Sequence, residues 1–342
     1  MDKVDHKKNI IIIVGLGVLT FANALPNGFV GDDQFLFLNN SFFHSWHNLP
    51  KLFSSDYIAD QDAIFNDEYS EISSGSVAYR PLLSLTFFLD YALWKDNAFG
   101  YHLHNVLLHV INSLLVYWIV FLVLKDSLRP SLAAILFSVH PLKSEAVCSI
   151  GYRADSLAAL FVFVAFVLYI RSDQKKENTS FILSHLAFFF ALFSKESAVV
   201  FPGLVMAYDW LLGKIKVRDV IKRTFSRYAG FIIILLFYLY VYLKVFPNSS
   251  LSSVPNIHAS LALQFVTSVR ILSHYLVVFF IPVMVKALPP LYVPPIDILW
   301  GFKTWVALSG VVGFLTLLYI LSRKDKQQAF FLWWFLLCFI PV

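Results

Sequence analysis

Long apolar segments recur along this chain, and they constrain its fold more than any other feature. A helix that crosses a bilayer needs about 20 mainly apolar residues. Candidate spans, separated by short polar stretches, lie at 9–26, 103–124, 131–148, 155–171, 180–195, 197–213, 229–246, 302–322 and 328–342. Weaker candidates lie at 81–94, which contains Asp90, and at 263–284, which contains Arg270 and His274. The sequence therefore predicts an all-α, polytopic helical membrane protein with about 9–11 transmembrane helices.

Composition agrees with a membrane protein. The 342 residues are 58% hydrophobic and 14% charged, whereas soluble domains are about half apolar and a quarter charged. The net charge of +5 does not indicate nucleic acid, because the basic residues lie in short runs between apolar segments. Cys148 and Cys338, both in apolar surroundings, predict neither a disulfide framework nor a zinc site. The first apolar run lacks a small-residue cleavage site before Pro26, which favours an uncleaved span over a cleaved signal peptide.

The distribution of charge predicts the orientation. Lys and Arg concentrate on the cytoplasmic side of membrane proteins, and with the N-terminus inside, the basic runs 3–8, 125–129, 171–176, 214–227 and 323–326 all fall there. A large acidic first loop, 27–102, then lies outside, together with 140–154, the turn near 195, and 247–300. If 263–284 spanned the membrane alone, 323–326 would lie outside. We therefore interpret 263–284 as a re-entrant or interfacial helix, or as half of a pair of helices.

The stretch GFVGDDQF places Asp32 and Asp33 directly after the first span. Adjacent side chains of an extended chain point in opposite directions, so one carboxylate can face a substrate while the other braces the loop or binds a cation. A general base or a metal ligand at the outer membrane edge is one interpretation. The other is a solvated turn, for which Gly-Asp-Asp is ordinary chemistry.

A second polar stretch, HPLKSEAVCSIGYRAD, lies between two apolar spans. Its ionisable residues are His140, Lys143, Glu145, Arg153 and Asp155. If 145–155 is one helix, the spacing places Glu145, Cys148, Tyr152 and Asp155 on one face, with Arg153 off it. This density of charge indicates either a functional loop or an internally paired polar cap.

Other ionisable groups lie near the predicted outer surface. Lys195 and Glu196, in SKES, form either a helix cap or a site at membrane depth, where a lysine suits a phosphate. Arg80 precedes Pro81, which suits the first turn of a helix. Arg270 and His274 share a helical face that suits a cavity better than lipid.

One further segment, FGYHLHNVLLHVIN, carries polar residues at helical spacing. His102 and Asn105 could face the cavity, whereas we expect His109, one or two turns deeper, to be a buried, hydrogen-bonded side chain.

Four stretches occur in a specific order: FVGDDQF, YRPLLSLTFFLDYALWKDNAFGYHLHNVLLHVIN, HPLKSEAVCSIGYRADSLAALF and FSKESAVVFPG. Together they resemble the membrane half of the transmembrane and tetratricopeptide-repeat O-mannosyltransferases and their bacterial relatives, which are GT-C glycosyltransferases. The similarity covers most of the chain, and WWFLLCFIPV resembles the family's last span before its helical repeats. The chain lacks those repeats, so we expect either a truncated chain or an acceptor bound without them.

The resemblance implies one GT-C-type domain over 1–342. It would transfer a sugar, mannose by analogy, from a polyisoprenyl phosphate to a hydroxyl of a protein or glycan on the outer or luminal face. It implies that Asp32 or Asp33 is the catalytic base. Residues expected around the donor sugar and phosphate are Arg80, His140, Glu145, Arg153, Asp155, Lys195, Glu196 and Arg270. A divalent cation on Asp32, Asp33, Glu145 and His140 is left open, as is every other cofactor.

Two other functions compete with this one. A transporter or flippase for a lipid-linked or anionic substrate explains many spans and buried charges, but such proteins carry internal repeats with paired broken helices, and no such symmetry is visible. A scaffold that binds a partner outside the membrane does not require acids in both loops. Phe and Lys usage with short loops favours a bacterial inner membrane over the endoplasmic reticulum, and membrane lipid is an expected partner.

Overall fold

A computed structural model describes residues 6–31, 33, 41–53, 79–213, 217–245, 261–282 and 301–339. The described residues form helices and contain no β-strand, which confirms the predicted all-α class. Asp32, the acids between 54 and 78, and the proline-rich part of 247–300 are outside these residues.

The α-helices follow the predicted apolar segments closely. They are α1 (His6–Phe21), α2 (Pro81–Trp94), α3 (Ala98–Leu124), α4 (Leu128–Val139), α5 (Ser144–Cys148), α6 (Arg153–Lys175), α7 (Asn178–Ser194), α8 (Phe201–Leu211), α9 (Val217–Val245), α10 (Leu261–Phe280), α11 (Phe302–Lys324) and α12 (Lys326–Cys338). Short 3₁₀ helices occupy Ala22–Ala24, Ser41–His44, Trp46–Phe53, Pro141–Lys143 and Glu196–Val200.

Within the described chain, 5 helices are long and apolar enough to cross a bilayer: His6–Ala24, Ala98–Leu124, Arg153–Lys175, Arg227–Lys244 and Thr304–Lys324. Four shorter apolar helices accompany them: Pro81–Trp94, Leu128–Val139, Asn178–Ser194 and Gln264–Phe280. The protein is therefore a multi-pass membrane protein.

The predicted span 131–148 is wrong as a single helix. α4 ends at Val139, because His140 is extended and Pro141 has no N–H for the helix to continue with. At 12 residues, α4 is about 18 Å long, shorter than the hydrocarbon core. The 3₁₀ helix Pro141–Lys143 and α5 complete this segment as separate pieces.

The chain divides into two compact units, Met1–Val205 with Ile221–Pro247, and Met206–Val220 with Asn248–Val342. In the first unit, α3 packs against α1, α4 and α6, and α6 packs against α7. Ile13, Tyr117 and Ala134 form a fully buried cluster between α1, α3 and α4. A Cβ on Gly17 would lie 3.1 Å from Val110 Cγ2, so this glycine permits the close approach of α1 and α3.

In the second unit, α10 packs against α11, and α11 packs against α12. Val269, Ala307 and Val311 form a buried cluster between α10 and α11. The turn between α11 and α12 is a single residue, Asp325, whose carboxylate accepts hydrogen bonds from the backbone N–H groups of Gln327 and Gln328. This cap explains why two helices meet there with almost no loop.

Candidate active site

Arg80 and Glu196 form a two-pronged ion pair between the start of α2 and the 3₁₀ helix after α7. Arg80 Nε and Nη2 donate to the two carboxylate oxygens of Glu196 at 3.1 and 2.7 Å. Pro81 begins α2 as predicted, which leaves Arg80 in the preceding non-helical position. Burial alone would raise the pKa of Glu196, but its hydrogen bonds and ion pair with Arg80 outweigh this and hold that pKa below its usual value.

Lys195 joins a different carboxylate. It follows the last residue of α7 and adopts an extended backbone with φ −159° and ψ 139°, so its side chain and that of Glu196 diverge. Lys195 Nζ donates to Asp155 Oδ1 at 2.6 Å, and Asp155 lies in the first turn of α6. The Ser-Lys-Glu sequence therefore ties the end of α7 both to α2 and to α6.

The two ion pairs form one group, which we call the ionic cluster: Arg80, Asp155, Lys195 and Glu196. Asp155 also interacts electrostatically with Arg80, and Lys195 with Glu196. A guanidinium has five N–H donors and an ammonium three, so the contacts of the described residues leave donors on both cations for a ligand. Lys195 and Asp155 remain partly exposed, so the cluster is accessible from outside the protein.

Asp33 is buried beside this region. Its carboxylate Oδ1 accepts a hydrogen bond from the backbone N–H of Gly151 at 3.0 Å, and its side chain is only 4% exposed. Gly151 and Asp155 are four residues apart, so their Cα atoms are separated by at most about 14 Å. Gly31, with φ +58°, makes the turn that leads into the paired acids.

Arg153 occupies the protein interior, unlike the ligand-facing position expected from the sequence. It is 0% exposed. Its guanidinium donates to Asn105 Oδ1 at 2.6 Å, to Thr86 Oγ1 at 3.0 Å, to the carbonyl of Tyr101 at 3.0 Å, and to Asp90. A buried charge requires this degree of satisfaction. Arg153 thus joins α2, α3 and α6, and in this conformation it cannot contact a donor.

Asp90 has a second partner on α3. His104 Nδ1 lies 2.8 Å from Asp90 Oδ1, and His104 is 28% exposed while Asp90 is almost fully buried. The predicted intramembrane acid of 81–94 is therefore paired twice, with Arg153 and with His104. This explains how a carboxylate is tolerated inside an apolar helix.

The second polar stretch is not one helix. α5 ends at Cys148 and α6 begins at Arg153, so Glu145 and Asp155 do not share a helical face as expected. Asn105 makes the interruption possible, because its amide donates to the carbonyls of Val147 and Ser149 at 3.3 and 2.9 Å.

The remaining polar residues of the first unit divide between interior and surface. His140 Nδ1 accepts from the backbone N–H of Leu142 at 3.3 Å, and Glu145 is exposed. His102 and Asn105, which could have faced the cavity, are both buried. His109 is buried with Nε2 3.0 Å from the carbonyl of Ser138, which confirms the prediction for this residue.

Arg270 belongs to α10 in the second unit, and among the described residues its Nη1 is buried without a hydrogen-bond partner. No group of three or more His, Cys, Asp or Glu side chains within the described ranges is arranged to hold a metal ion.

Sequence reasoning missed Tyr238, on α9. Its side chain is 4% exposed, and its hydroxyl has no hydrogen-bond partner among the described residues. It interacts electrostatically with Glu196, Arg80 and Tyr79, and its ring lies edge-on to Phe193 at 5.5 Å. Buried tyrosine hydroxyls are usually paired, but this one is closed to solvent, so in this conformation it does not contact a donor. Its sequence context, FYLYVYL, gives no signal because aromatic residues fill the whole helix.

The fold and these contacts define a helical multi-pass membrane protein with an ionic cluster at the ends of its helices. Among known proteins, the chain is 33% identical over 205 residues to human Protein O-mannosyl-transferase TMTC3 and 28% identical over 242 residues to human Protein O-mannosyl-transferase TMTC4. It is 27% identical over 210 residues to Protein O-mannosyl-transferase F38B6.6 of Caenorhabditis elegans. These matches cover 59%, 64% and 60% of the chain, respectively.

The chain spans 21%, 31% and 28% of the lengths of these three relatives, respectively. All three are animal proteins, so the expected bacterial origin and inner-membrane location find no support. No family model matches the chain, and no solved structure matches it.

Proposed function

We propose that this chain is the membrane part of a glycosyltransferase that moves a sugar, mannose by analogy, from a polyisoprenyl phosphate to an acceptor hydroxyl outside the cytoplasm. The observation that carries the proposal is the ionic cluster, where two cations with unused donors meet at the predicted outer ends of three helices. The phosphate of such a donor lies at headgroup level, where these cations can bind it. The names of the similar proteins give independent support.

The ionic cluster suits the phosphate of the donor, which leaves the sugar while still attached to its polyisoprenyl chain. Arg80 and Lys195 are each held by a carboxylate, Glu196 and Asp155 respectively, so their charges are oriented before the donor arrives. When the acceptor oxygen bonds to the anomeric carbon, the bond from that carbon to the phosphate oxygen breaks. The polyisoprenyl phosphate leaves as the anion that the cations stabilise, and direct displacement inverts the anomeric configuration.

The two adjacent acids take different roles in this proposal. Asp33 is buried and accepts from Gly151 N–H, so we assign it to bracing the loop against the start of α6. Asp32 is assigned to the acceptor, whose hydroxyl proton it removes as general base. Arg153 acts through Asp90 and Asn105 as a positioning residue without touching the donor.

The test uses purified protein in lipid nanodiscs, with radiolabelled polyisoprenyl-phosphate sugars supplied one at a time and a pool of secreted-protein peptides. We expect transfer by the wild type, a loss of about 10²- to 10⁴-fold in kcat for Asp32→Asn, and a smaller loss for Asp33→Asn. Asp126→Asn, in the loop on the predicted cytoplasmic side, is the matched control.

Several results would contradict the proposal. If Asp32→Asn binds the donor and transfers sugar at the wild-type rate, Asp32 is not the general base. In sealed proteoliposomes, donor translocation across the bilayer without transfer would favour a transporter. If the folded wild-type protein neither binds nor transfers any sugar donor, the proposed enzyme activity is excluded.

A further inference from the structure

A cavity of about 650 Å³ opens in the second unit between the end of α8 and the hairpin of α11 and α12. Its apolar lining includes Leu315, Leu318 and Leu336. Arg323 and Lys326 line its end at the turn between α11 and α12, which we call the mouth. The volume is in the range of small-molecule sites, about 300 to 1,000 Å³. No residue of this cavity belongs to the ionic cluster, so a second ligand class must be considered.

The mouth of the cavity is basic and the flanks are aromatic. Trp210 and Trp333 line it with ring centroids 5.7 Å apart in an edge-on arrangement. Arg323 lies over the ring of Tyr319 at 5.6 Å. Tryptophan and tyrosine concentrate at membrane–water interfaces, and Arg323 is in the last turn of the spanning helix α11. The cavity thus runs from the headgroup level into the apolar depth of a bilayer.

The acid nearest in sequence to the basic residues of the mouth, Asp325, forms no ion pair with them among the described contacts. Asp325 lies between the basic residues in sequence, but its carboxylate caps α12 by accepting from the backbone of Gln327 and Gln328 and from Gln328 Nε2. In the described part of the chain, no carboxylate lies within salt-bridge distance of Arg323 or Lys326. The charge distribution predicts that this end faces the cytoplasm, where anionic lipids concentrate.

We propose that this cavity binds one anionic glycerophospholipid of the cytoplasmic leaflet, with its phosphate on Arg323 and Lys326 and an acyl chain against Leu315, Leu318 and Leu336. Charge complementarity selects the anionic headgroup, and the apolar wall below the mouth selects a ligand with a chain. The site is separate from the proposed transfer chemistry, so its occupancy and the transfer of sugar can be measured independently.

Native mass spectrometry of the detergent-solubilised protein, with equimolar phosphatidylglycerol and phosphatidylcholine of identical chains, tests the proposal. We expect one retained phosphatidylglycerol in preference to phosphatidylcholine. Each basic residue near a membrane surface contributes a factor of about five in lipid affinity, so Arg323→Gln with Lys326→Gln should lower phosphatidylglycerol retention about 30-fold.

Further variants separate the parts of the site. Arg323→Gln and Lys324→Gln each remove one charge from the last turn of α11, but Lys324 does not line the cavity. Lys324→Gln is therefore the matched control for the single variant Arg323→Gln and should retain the lipid. Leu315→Trp fills the apolar end from a partly exposed position, and it should lower retention of both lipids. Size-exclusion profiles must stay unchanged in all variants.

The proposal is overturned by equal retention of the two lipids, or by equal loss in Lys324→Gln and in the double variant. Displacement of the bound lipid by millimolar inorganic phosphate would assign the site to a soluble anion. Stronger displacement by a polyisoprenyl phosphate than by phosphatidylglycerol would assign it to a different lipid class.

Discussion

Arg153 shows how one buried residue can organise three helices without touching a ligand. Its guanidinium is enclosed by groups from α2 and α3, and its charge is balanced by Asp90, which also contacts His104. Such an arrangement is costly to break, because removing one partner leaves the other charge buried and unpaired. Its contribution to the site is therefore geometric, since it fixes the first turn of α6, from which Asp155 reaches Lys195.

Replacing Arg153 with Met should destabilise the protein by about 3 to 5 kcal/mol, since the buried Asp90 loses its permanently charged partner and keeps only His104. The double variant Arg153→Met with Asp90→Leu removes both charges and should regain much of the stability. Thermal unfolding in detergent and the yield of monodisperse protein are the measurements. A single variant as stable as the wild type, or a double variant less stable than the single one, would contradict this account.

The Arg80–Glu196 pair should make stability fall in acid. Glu196 has a folded-state pKa below its usual value of 4.5, so its contribution is complete above that pH and is lost as the pH falls through the lower value. Half of the Glu196 side chain is exposed, which limits the effect to about 1 kcal/mol, or about 2 °C in Tm. The Tm of the wild type should exceed that of Glu196→Gln by this margin at neutral pH, and the two Tm values should converge in acid. A difference in Tm that stays constant across the pH range would contradict this prediction.

At the scale of elements, the interruption between α5 and α6 determines how the site is assembled. It exposes the N–H of Gly151 to Asp33 and lets α6 begin at Arg153. The apolar pattern predicted the helices on either side, and the limits of 81–94 agree with α2. The interruption itself was not predictable from local spacing, because it depends on Asn105, about 40 residues away on α3.

Asn105→Ala should loosen this interruption. The substitution leaves the carbonyls of Val147 and Ser149 without their amide donor, and Arg153 Nε without its acceptor. Each unmade buried hydrogen bond costs about 1 to 3 kcal/mol, so local amide exchange should speed up at least tenfold to hundredfold. Hydrogen exchange of residues 144–152 measures this. Asn112→Ala is the control, since Asn112 donates to Ser156 inside α6. Equal acceleration in both variants would show that Asn105 has no particular role there.

For the whole molecule, apolar length and charge predicted the class of fold, and the order of polar motifs predicted which loops to examine. They did not predict which charges are paired with one another. Arg153 and Lys195 are both basic residues beside apolar runs, yet one is fully buried and the other is at the surface. Tyr238 was missed for a related reason. Among the described residues its buried hydroxyl has no hydrogen-bond partner, and this depends on how the helices pack, which the local sequence does not show.

The predicted orientation can be tested across the segment that the sequence misassigned. α4 alone is about 18 Å long, but with the pieces up to Cys148 it has the length to connect the two sides of the membrane. In a background with Cys148→Ser and Cys338→Ser, Glu145→Cys should react with a membrane-impermeant maleimide on intact cells. Ser127→Cys, in the loop between α3 and α4, should react only after permeabilisation. Both positions are exposed in the folded protein. Labelling of both positions from the same side would mean that α4 and α5 double back within the membrane. The ionic cluster and the basic run 125–129 would then lie on one face, which would contradict the orientation predicted from charge.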